Sequence, residues 1–345
     1  MHRFSLIIPI YNLSDYIMDC LSSIEAQSFN DYEVIVIDDG SKDNTSNKCE
    51  RWCNTHPNCL FFRQKNSGVS VARNIGLQYA SGELVWFIDG DDYIHPNSLD
   101  CLNKIFDKYP KLDYIQHSYN YTEKRYSDFQ YQDISAELCD VKVISSKDDF
   151  IKVLNFAPIA VWDMCCRKKL LRGLKFENIR TCEDRLFSLN MVYRAQCAGF
   201  FSGCIYNVYL RPDSFTRQPY TRKTFADYIE FVNYSFALVG RRNGCGDGVL
   251  CFFNERSNMP QLMKKIGCLE EKNDREWAWQ SLLEIIQKHC EVFHGKEVFY
   301  VRWINCTHNY IIAWLFLRFR YIVREYLLQH KHLYSLYMKL KAIKV

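Results

Sequence analysis

Leu84-Val85-Trp86-Phe87-Ile88-Asp89-Gly90-Asp91-Asp92 sets an unbroken apolar run directly against a cluster of carboxylates. So short and apolar a run reads as a buried strand. The acidic cluster then falls at its carboxyl end, where open α/β sheets hold their ligands. Carboxylates crowded at one strand end repel one another, so the cluster asks for a cation or a bound ligand to offset it. Hard divalent ions take oxygen ligands and bridge to phosphates, which points to a metal holding a diphosphate at this turn.

Outward from that strand, the first third of the chain alternates strand and helix patterns. Phe4 to Tyr11, Tyr32 to Ile37 and Leu60 to Gln64 read as further strands. Helices are expected from Ser14, as a cap, to Gln27, from Asn44 to Cys53, from Ser70 to Ala80 and from Pro96 to Tyr109. This βαβαβ order predicts an α/β fold with a mainly parallel sheet and helices on both faces. Asp113 to Tyr121 alternates and is expected to be another strand. The stretch from Tyr126 to Ser145 reads as a loop-rich connection, Lys147 to Phe156, Cys166 to Leu171 and Asp184 to Ala195 as helical, and Gly199 to Leu210 as extended. Beyond Phe225 the chain reads as mainly helical. Asn243-Gly244-Cys245-Gly246-Asp247-Gly248 interrupts it as a turn, because it lacks the strand-before-helix context of a nucleotide loop. The expected division is residues 1–222 as one domain, with a nucleotide-binding half at 1–122 and an acceptor half at 123–222. A helical region with a basic, aromatic tail follows at 223–345.

The 345 residues are 48% hydrophobic and 24% charged, which suits a folded protein with ample core and excludes a disordered one. The net charge of +4 is uneven: residues 301–345 hold eight Lys/Arg against one acid, so this tail carries +7 and the remainder −3. Such a tail fits peripheral contact with an anionic membrane, or a terminal helix pair packed on the protein with its charges solvated. No nucleic-acid recognition module is visible. The stretch after Met1 is too short and too soon broken by Pro9 for a secretory signal, and no apolar run is long enough to span a bilayer, so a cytoplasmic protein, peripheral at most, is expected. The thiols of its sixteen cysteines are then expected to stay reduced. Cys49, Cys53, His56 and Cys59 raise the question of zinc, but without paired C-x-x-C spacing they read rather as structural residues.

A second acidic strand end, Asp38-Asp39-Gly40-Ser41, reaches the same edge of a parallel sheet. Its carboxylates can accept hydrogen bonds from a base or ribose, and Gly40 permits a tight turn. Pro9-Ile10-Tyr11-Asn12, Asp38-Asp39-Gly40-Ser41, Gly68-Val69-Ser70-Val71-Ala72-Arg73-Asn74 and Asp89-Gly90-Asp91-Asp92 occur in the order and spacing of family 2 glycosyltransferases. The chain resembles bacterial members that build surface polysaccharides such as capsule, O-antigen or lipooligosaccharide. The resemblance is specific over roughly the first 110 residues. It continues through Val161-Trp162, Arg167-Lys168-Lys169-Leu170-Leu171, Glu183-Asp184 and Tyr209 to Thr216.

The resemblance implies a GT-A fold, a nucleotide-sugar donor with UDP the expected nucleotide, Mn²⁺ or Mg²⁺, inversion at the anomeric carbon, and a glycan or lipid-linked acceptor. Carried over by position, Pro9, Tyr11 and Asn12 would border the base and Asp38 and Asp39 would hydrogen-bond the nucleoside. Arg73 and Asn74 would lie under the donor. Asp89 and Gly90 would face the ribose, Asp91 would bind the metal, and Asp92 would either support the site from behind or face the sugar. Glu183-Asp184 resembles the pair that supplies the catalytic base, with Asp184 the expected base.

Chemistry asks for the same parts. An alcohol is a poor nucleophile until a carboxylate takes its proton, and the leaving diphosphate needs cationic help. Arg211, Arg217 and Arg222 follow the base and are the candidates for that help. On the residues alone, Glu183 and Asp184 also suit a helix N-terminus. Trp162 fits either a sugar platform or a buried aromatic, and His95 and His117 fit either metal ligation or structural roles. A sugar nucleotidyltransferase is the main alternative, but it calls for a Gly-rich basic signature where Tyr11-Asn12-Leu13-Ser14 stands. A catalytically silent glycan- or membrane-binding relative would have lost the acidic site or the base.

Overall fold

The computed structural model describes residues 2–131, 141–145, 160–179, 181–212, 221–240 and 266–288. The chain divides into two compact units, Met1–Gln218 and Pro219–Val345. The expected helix at 147–156, the Gly-rich turn at 243–248, Arg217 and the basic tail at 301–345 lie outside the described residues.

The first unit is built on a mixed α/β sheet. Its strands are β1 (Phe4–Ile10), β2 (Tyr32–Asp38), β3 (Cys59–Arg63), β4 (Leu84–Phe87), β5 (Tyr93–Ile94), β6 (Tyr114–Thr122), β7 (Val141–Ile144), β8 (Met164–Arg167) and β9 (Ala198–Tyr209). They lie in the order β3-β2-β1-β4-β8-β6-β9-β5, with β7 on β9. The pairings among β3, β2, β1 and β4 are all parallel. β8 then enters antiparallel between β4 and β6, and β9 runs parallel to β6. The carboxyl ends of β1, β2, β4, β6 and β9 therefore share one edge, and β8 begins there. The two acidic loops lie at this edge, the rim of the sheet.

β1 and β2 are buried throughout, as expected of parallel strands covered on both faces. Leu6, Ile8, Val34, Val36 and Trp86 join a core with Cys20, Leu21 and Ile24 of α1 (Ile17–Glu25) and Leu102 and Ile105 of α4 (Ser98–Lys108). Alternate residues turn the other way, and Ile7 and Ile37 meet Gly76 of α3 (Val69–Tyr79). Each fully buried large apolar side chain here contributes about 1.5–3 kcal/mol. α2 (Thr45–Thr55) packs beside β3, and α5 (Glu183–Arg194) sets Phe187 against Phe87 of β4.

Four expectations are corrected. Ser14 does not cap α1: its backbone N–H is taken by Asp43 Oδ2 (3.0 Å) and that of Leu13 by Thr45 Oγ1 (2.7 Å), so the chain is tied to the start of α2 before the helix begins. Cys166 to Leu171 is not helical; Met164 to Arg167 is β8, followed by a 3₁₀ turn over Lys168–Leu171. A short apolar run cannot be assigned by periodicity alone, and tertiary pairing decided this one. The loop-rich stretch to Ser145 contains β7. Cys53 and Cys59, which the turn from α2 to β3 brings together, form a disulfide; this corrects the expectation of reduced thiols at that pair and removes two of the four zinc candidates.

In the second unit, α6 (Arg222–Gly240) buries Phe225, Tyr228, Phe231 and Val232 at helical spacing, and α7 (Lys272–Lys288) buries Ala278, Trp279 and Leu282. Arg222 pairs with Asp274 at 3.1 Å and lies 4.6 Å from the centre of the Trp277 ring. No helix among the described residues is long and apolar enough to cross a membrane.

Candidate active site

The loops after β1 and β2 are stitched to each other. Asn12, at φ +52°, donates its N–H to Ser41 Oγ (3.0 Å), and its Oδ1 accepts from Lys42 N (2.8 Å). Gly40 adopts φ +76°, and a Cβ there would stand 2.8 Å from Asn66 N. Pro9 is buried in β1 opposite Ile37, whereas Tyr11, at 39%, and Asn12 in the loop that follows are exposed. Asp38 is wholly buried, accepting from Ser41 N (2.9 Å) and pairing with Arg63 (3.2 Å). Asp39 accepts from Gln64 Nε2 (2.6 Å), Ser67 N (2.7 Å) and Gly68 N (2.8 Å). These two carboxylates thus build the corner, with Asp39 anchoring the entry to α3.

The acidic turn after β4 is held by partners from distant parts of the chain. Asp89 pairs with Arg73 of α3 at 3.0 Å. The Tyr206 hydroxyl accepts from Asp89 N (3.1 Å) and donates to Asp92 Oδ2 (2.8 Å), while Asp92 Oδ1 accepts from Tyr209 N (2.8 Å). Burial pushes the Asp92 carboxyl well above the usual carboxylate range, and Asp91 and Asp89 push it further. Asp91 pairs with Arg211 at 2.8 Å. Gly90 is buried, and a Cβ there would stand 2.8 Å from Ile10 Cγ2 and 3.0 Å from Leu13 Cδ1, so close packing explains it rather than contact with a ribose. The clustered acids, expected to need a metal or ligand to offset them, are in fact offset by arginines, a tyrosine hydroxyl and backbone amides.

Arg73 also reaches Glu183 at 3.0 Å, so one buried guanidinium joins the acidic turn to the first turn of α5. Asp89 and then Glu183 hold it charged against the cost of its burial. Its CZ lies 5.4 Å from the centre of the Phe176 ring. Phe176 is fixed by its neighbour Asn74, whose Nδ2 donates to Phe176 O (2.9 Å) and whose Oδ1 accepts from Phe176 N (2.8 Å). Both polar atoms of Asn74 are engaged in this backbone clamp, which places the residue beneath the site as support.

Glu183 and Asp184 open α5 after Cys182, which adopts φ +70°. A helix N-terminus favours negative charge. Burial nevertheless pushes Glu183 up to about 7, with Asp184 raising it further and Arg73 opposing. Burial also raises Asp184, against the pull of Arg73 and Arg185. A carboxylate so raised is a stronger base, as proton abstraction from a hydroxyl requires.

The motifs did not single out Asp163 or Tyr206. Asp163, 1% exposed, precedes β8 at the same rim, and its Oδ2 accepts from Gln116 Nε2 (2.9 Å). Burial raises it well above the ordinary range, and Asp184 is close enough to add to the shift. Trp162 stacks on Tyr206 at 5.0 Å and 16°. His95 and His117 are buried in structural contacts: His95 Nδ1 accepts from Asn97 N (3.1 Å), and burial lowers His117 to about 4. His56 stacks on Trp52, and Arg222 is engaged by Asp274.

Among the described residues, no three His, Cys, Asp or Glu side chains are arranged to hold a metal between them. Asp91 offers a carboxylate that is 20% exposed, and Asp89, 29% exposed, is shared with Arg73. One carboxylate completed by phosphate oxygens is a donor set suited to Mg²⁺ or Mn²⁺, so the residues fit an ion that arrives with a diphosphate.

A mixed, mainly parallel sheet flanked by helices is a fold of the GT-A class. Residues 5–178 match the model of Glycosyl transferase family 2, and the chain belongs to that family. It is 25% identical over 222 residues to glycosyltransferase GlyA of Streptococcus pneumoniae, covering 62% of this chain and 32% of GlyA. It is also 25% identical over 221 residues to the minor teichoic acid biosynthesis protein GgaB of Bacillus subtilis, covering 61% of this chain and 23% of GgaB. The chain thus spans a third or less of each of these relatives. The fold matches the crystal structure of S. aureus TarS 1-349 in complex with UDP-GlcNAc, with a TM-score of 0.71 at 19% identity over 92% of this chain and 91% of that one.

Proposed function

We propose that this chain moves a sugar, with inversion, from a UDP-sugar to a hydroxyl of a glycan or lipid-linked acceptor during assembly of a bacterial surface polymer. The observation that carries this reading is Arg73, which binds Asp89 of the acidic turn and Glu183 of the acid pair through one guanidinium. Donor and base machinery are thereby held at one place on the rim. The teichoic acid role of GgaB and the UDP-GlcNAc bound to the TarS fold support the choice of donor and polymer class.

In this mechanism the nucleoside lies at the Tyr11–Asn12 corner, over the scaffold built by Asp38 and Asp39. Asp184 takes the acceptor proton as the hydroxyl oxygen bonds to the anomeric carbon, and the bond to the diphosphate breaks with its electron pair leaving on the phosphate oxygen. Arg73 and Arg185 favour the charged form of Asp184, the form that can accept a proton, against the cost of its burial. A divalent cation on Asp91 would offset the charge gained by the leaving diphosphate, and Arg211, paired with Asp91, is a protein cation suited to the same task. Asp92, held by Tyr206, fixes the turn.

The test is incubation of the purified chain with a panel of UDP-sugars, Mn²⁺ and glycan or lipid-linked acceptors. Release of UDP with a product of inverted anomeric configuration is expected. Failure to release UDP from any member, or formation of pyrophosphate from a nucleoside triphosphate and a sugar phosphate, overturns the proposal in favour of a silent relative or a nucleotidyltransferase.

A further inference from the structure

The three carboxylates of the acidic turn differ in how firmly they are held. Asp92 is buried between the Tyr206 hydroxyl and the Tyr209 amide, and Asp89, though 29% exposed, shares Arg73 with Glu183, a guanidinium only 5% exposed and bonded to both carboxylates. Asp91 instead meets Arg211, two residues beyond the end of β9, and the two side chains are 20% and 17% exposed. The Arg211 guanidinium also lies 5.7 Å from the centre of the Tyr16 ring, an aromatic face on which a cation can slide without losing all its contacts. Of the three carboxylates, Asp91 therefore has the partner most readily exchanged.

We propose that Arg211 is the resident counter-ion of Asp91 in the donor-free protein, and that it is exchanged onto the diphosphate when metal and nucleotide bind together. The inference rests on the metal role proposed above for Asp91. A divalent ion and a guanidinium compete for the same carboxylate, so the ion arriving alone must first evict Arg211. A diphosphate removes that obstacle, because it offers the planar guanidinium a bidentate anionic partner. The metal and the nucleotide then favour each other's binding beyond their direct contact, and Arg211 carries the surplus. Arg211 thus acts twice, first keeping the acidic turn neutral and ordered, then stabilising the leaving group.

Mn²⁺ binding to the full chain, followed by electron paramagnetic resonance with and without UDP, tests this. Arg211→Gln is expected to bind Mn²⁺ alone about three- to tenfold more tightly than the wild type, because the competing cation is gone. The same variant is expected to show a smaller gain in Mn²⁺ affinity on adding UDP. Equal affinity of wild type and Arg211→Gln for Mn²⁺ alone overturns the exchange. Should the variant not fold, the wild type carries the test: its Arg211 Nε–H nuclear magnetic resonance signal is expected to shift when Mg²⁺ and UDP are added together, and an unmoved signal overturns the proposal. Asp91→Asn separates the two ideas. If it leaves Mn²⁺ binding unchanged, the metal assignment itself fails; if it abolishes binding while Arg211→Gln changes nothing, only the exchange fails.

Discussion

The two acidic loops use the same residue type for opposite ends. After β2, Asp38 and Asp39 are satisfied by nearby partners: Ser41 N, Ser67 N, Gly68 N and the side chains of Gln64 and Arg63. Most of these are backbone amides fixed by the fold. After β4, Asp89 and Asp91 are instead offset by arginine side chains, Arg73 and Arg211. Amide donors cannot leave, whereas a guanidinium on a flexible stem can. The first loop is therefore architecture, and the second holds its charge through partners that can be exchanged.

The largest effect is expected where neither loop substitutes for chemistry. Asp184→Asn should lower turnover by about 10²–10⁴-fold, the usual worth of a general base, while UDP-sugar binding is retained. Steady-state kinetics beside calorimetric binding checks this; near wild-type turnover places the base elsewhere.

The next two variants set the loops against each other. Asp39→Ala removes the acceptor of three hydrogen bonds and leaves two backbone amides to find new partners, so it should cost roughly 3 kcal/mol of stability. Asp91→Asn removes the charge from a partly exposed ion pair and should cost about 1 kcal/mol, less than Asp39→Ala, yet should remove Mn²⁺-dependent UDP binding. Urea unfolding of both variants decides the matter. If Asp91→Asn proves the more destabilising, the division between architecture and charge store is wrong.

The same contrast explains what was legible in the sequence. β1, β2 and β4 are short apolar runs closed by turn residues, so strand and loop were readable together, and the family motifs lie on those loops. β8 was not readable, because Met164-Cys165-Cys166 gains its strand identity only by insertion between β4 and β6. Nor was the wiring of the site. Arg73 and Glu183 stand 110 residues apart, and Tyr206 is 114 from Asp92, with nothing local to mark either pairing. The motifs put Asn74 and Gly90 at the donor, whereas their contacts have them holding Phe176 and packing on Ile10 and Leu13. Spacing can reveal that a residue matters without revealing whether it faces the ligand or the scaffold.

The smallest expected effect concerns Asp163, a buried carboxyl that shares the rim with Asp184 but belongs to neither loop. Its value is raised in the folded chain, chiefly by burial, so the native state holds its proton at pH values where the unfolded chain has released it. Stability contributed by this neutral form is complete below the unfolded value of about 3.9 and declines as pH rises above it. Glu183 adds a decline of the same sign between its ordinary value near 4.5 and about 7. Asp163→Asn preserves the shape and the acceptor for Gln116 while removing the titration. The melting temperature of this variant should therefore fall less steeply than that of the wild type between about pH 4 and pH 7, with Glu183, Asp184 and Asp92, all raised by burial, supplying the slope that remains. Identical slopes would mean that Asp163 is not held neutral by its burial, and that the rim tolerates a third charge beside the acid pair.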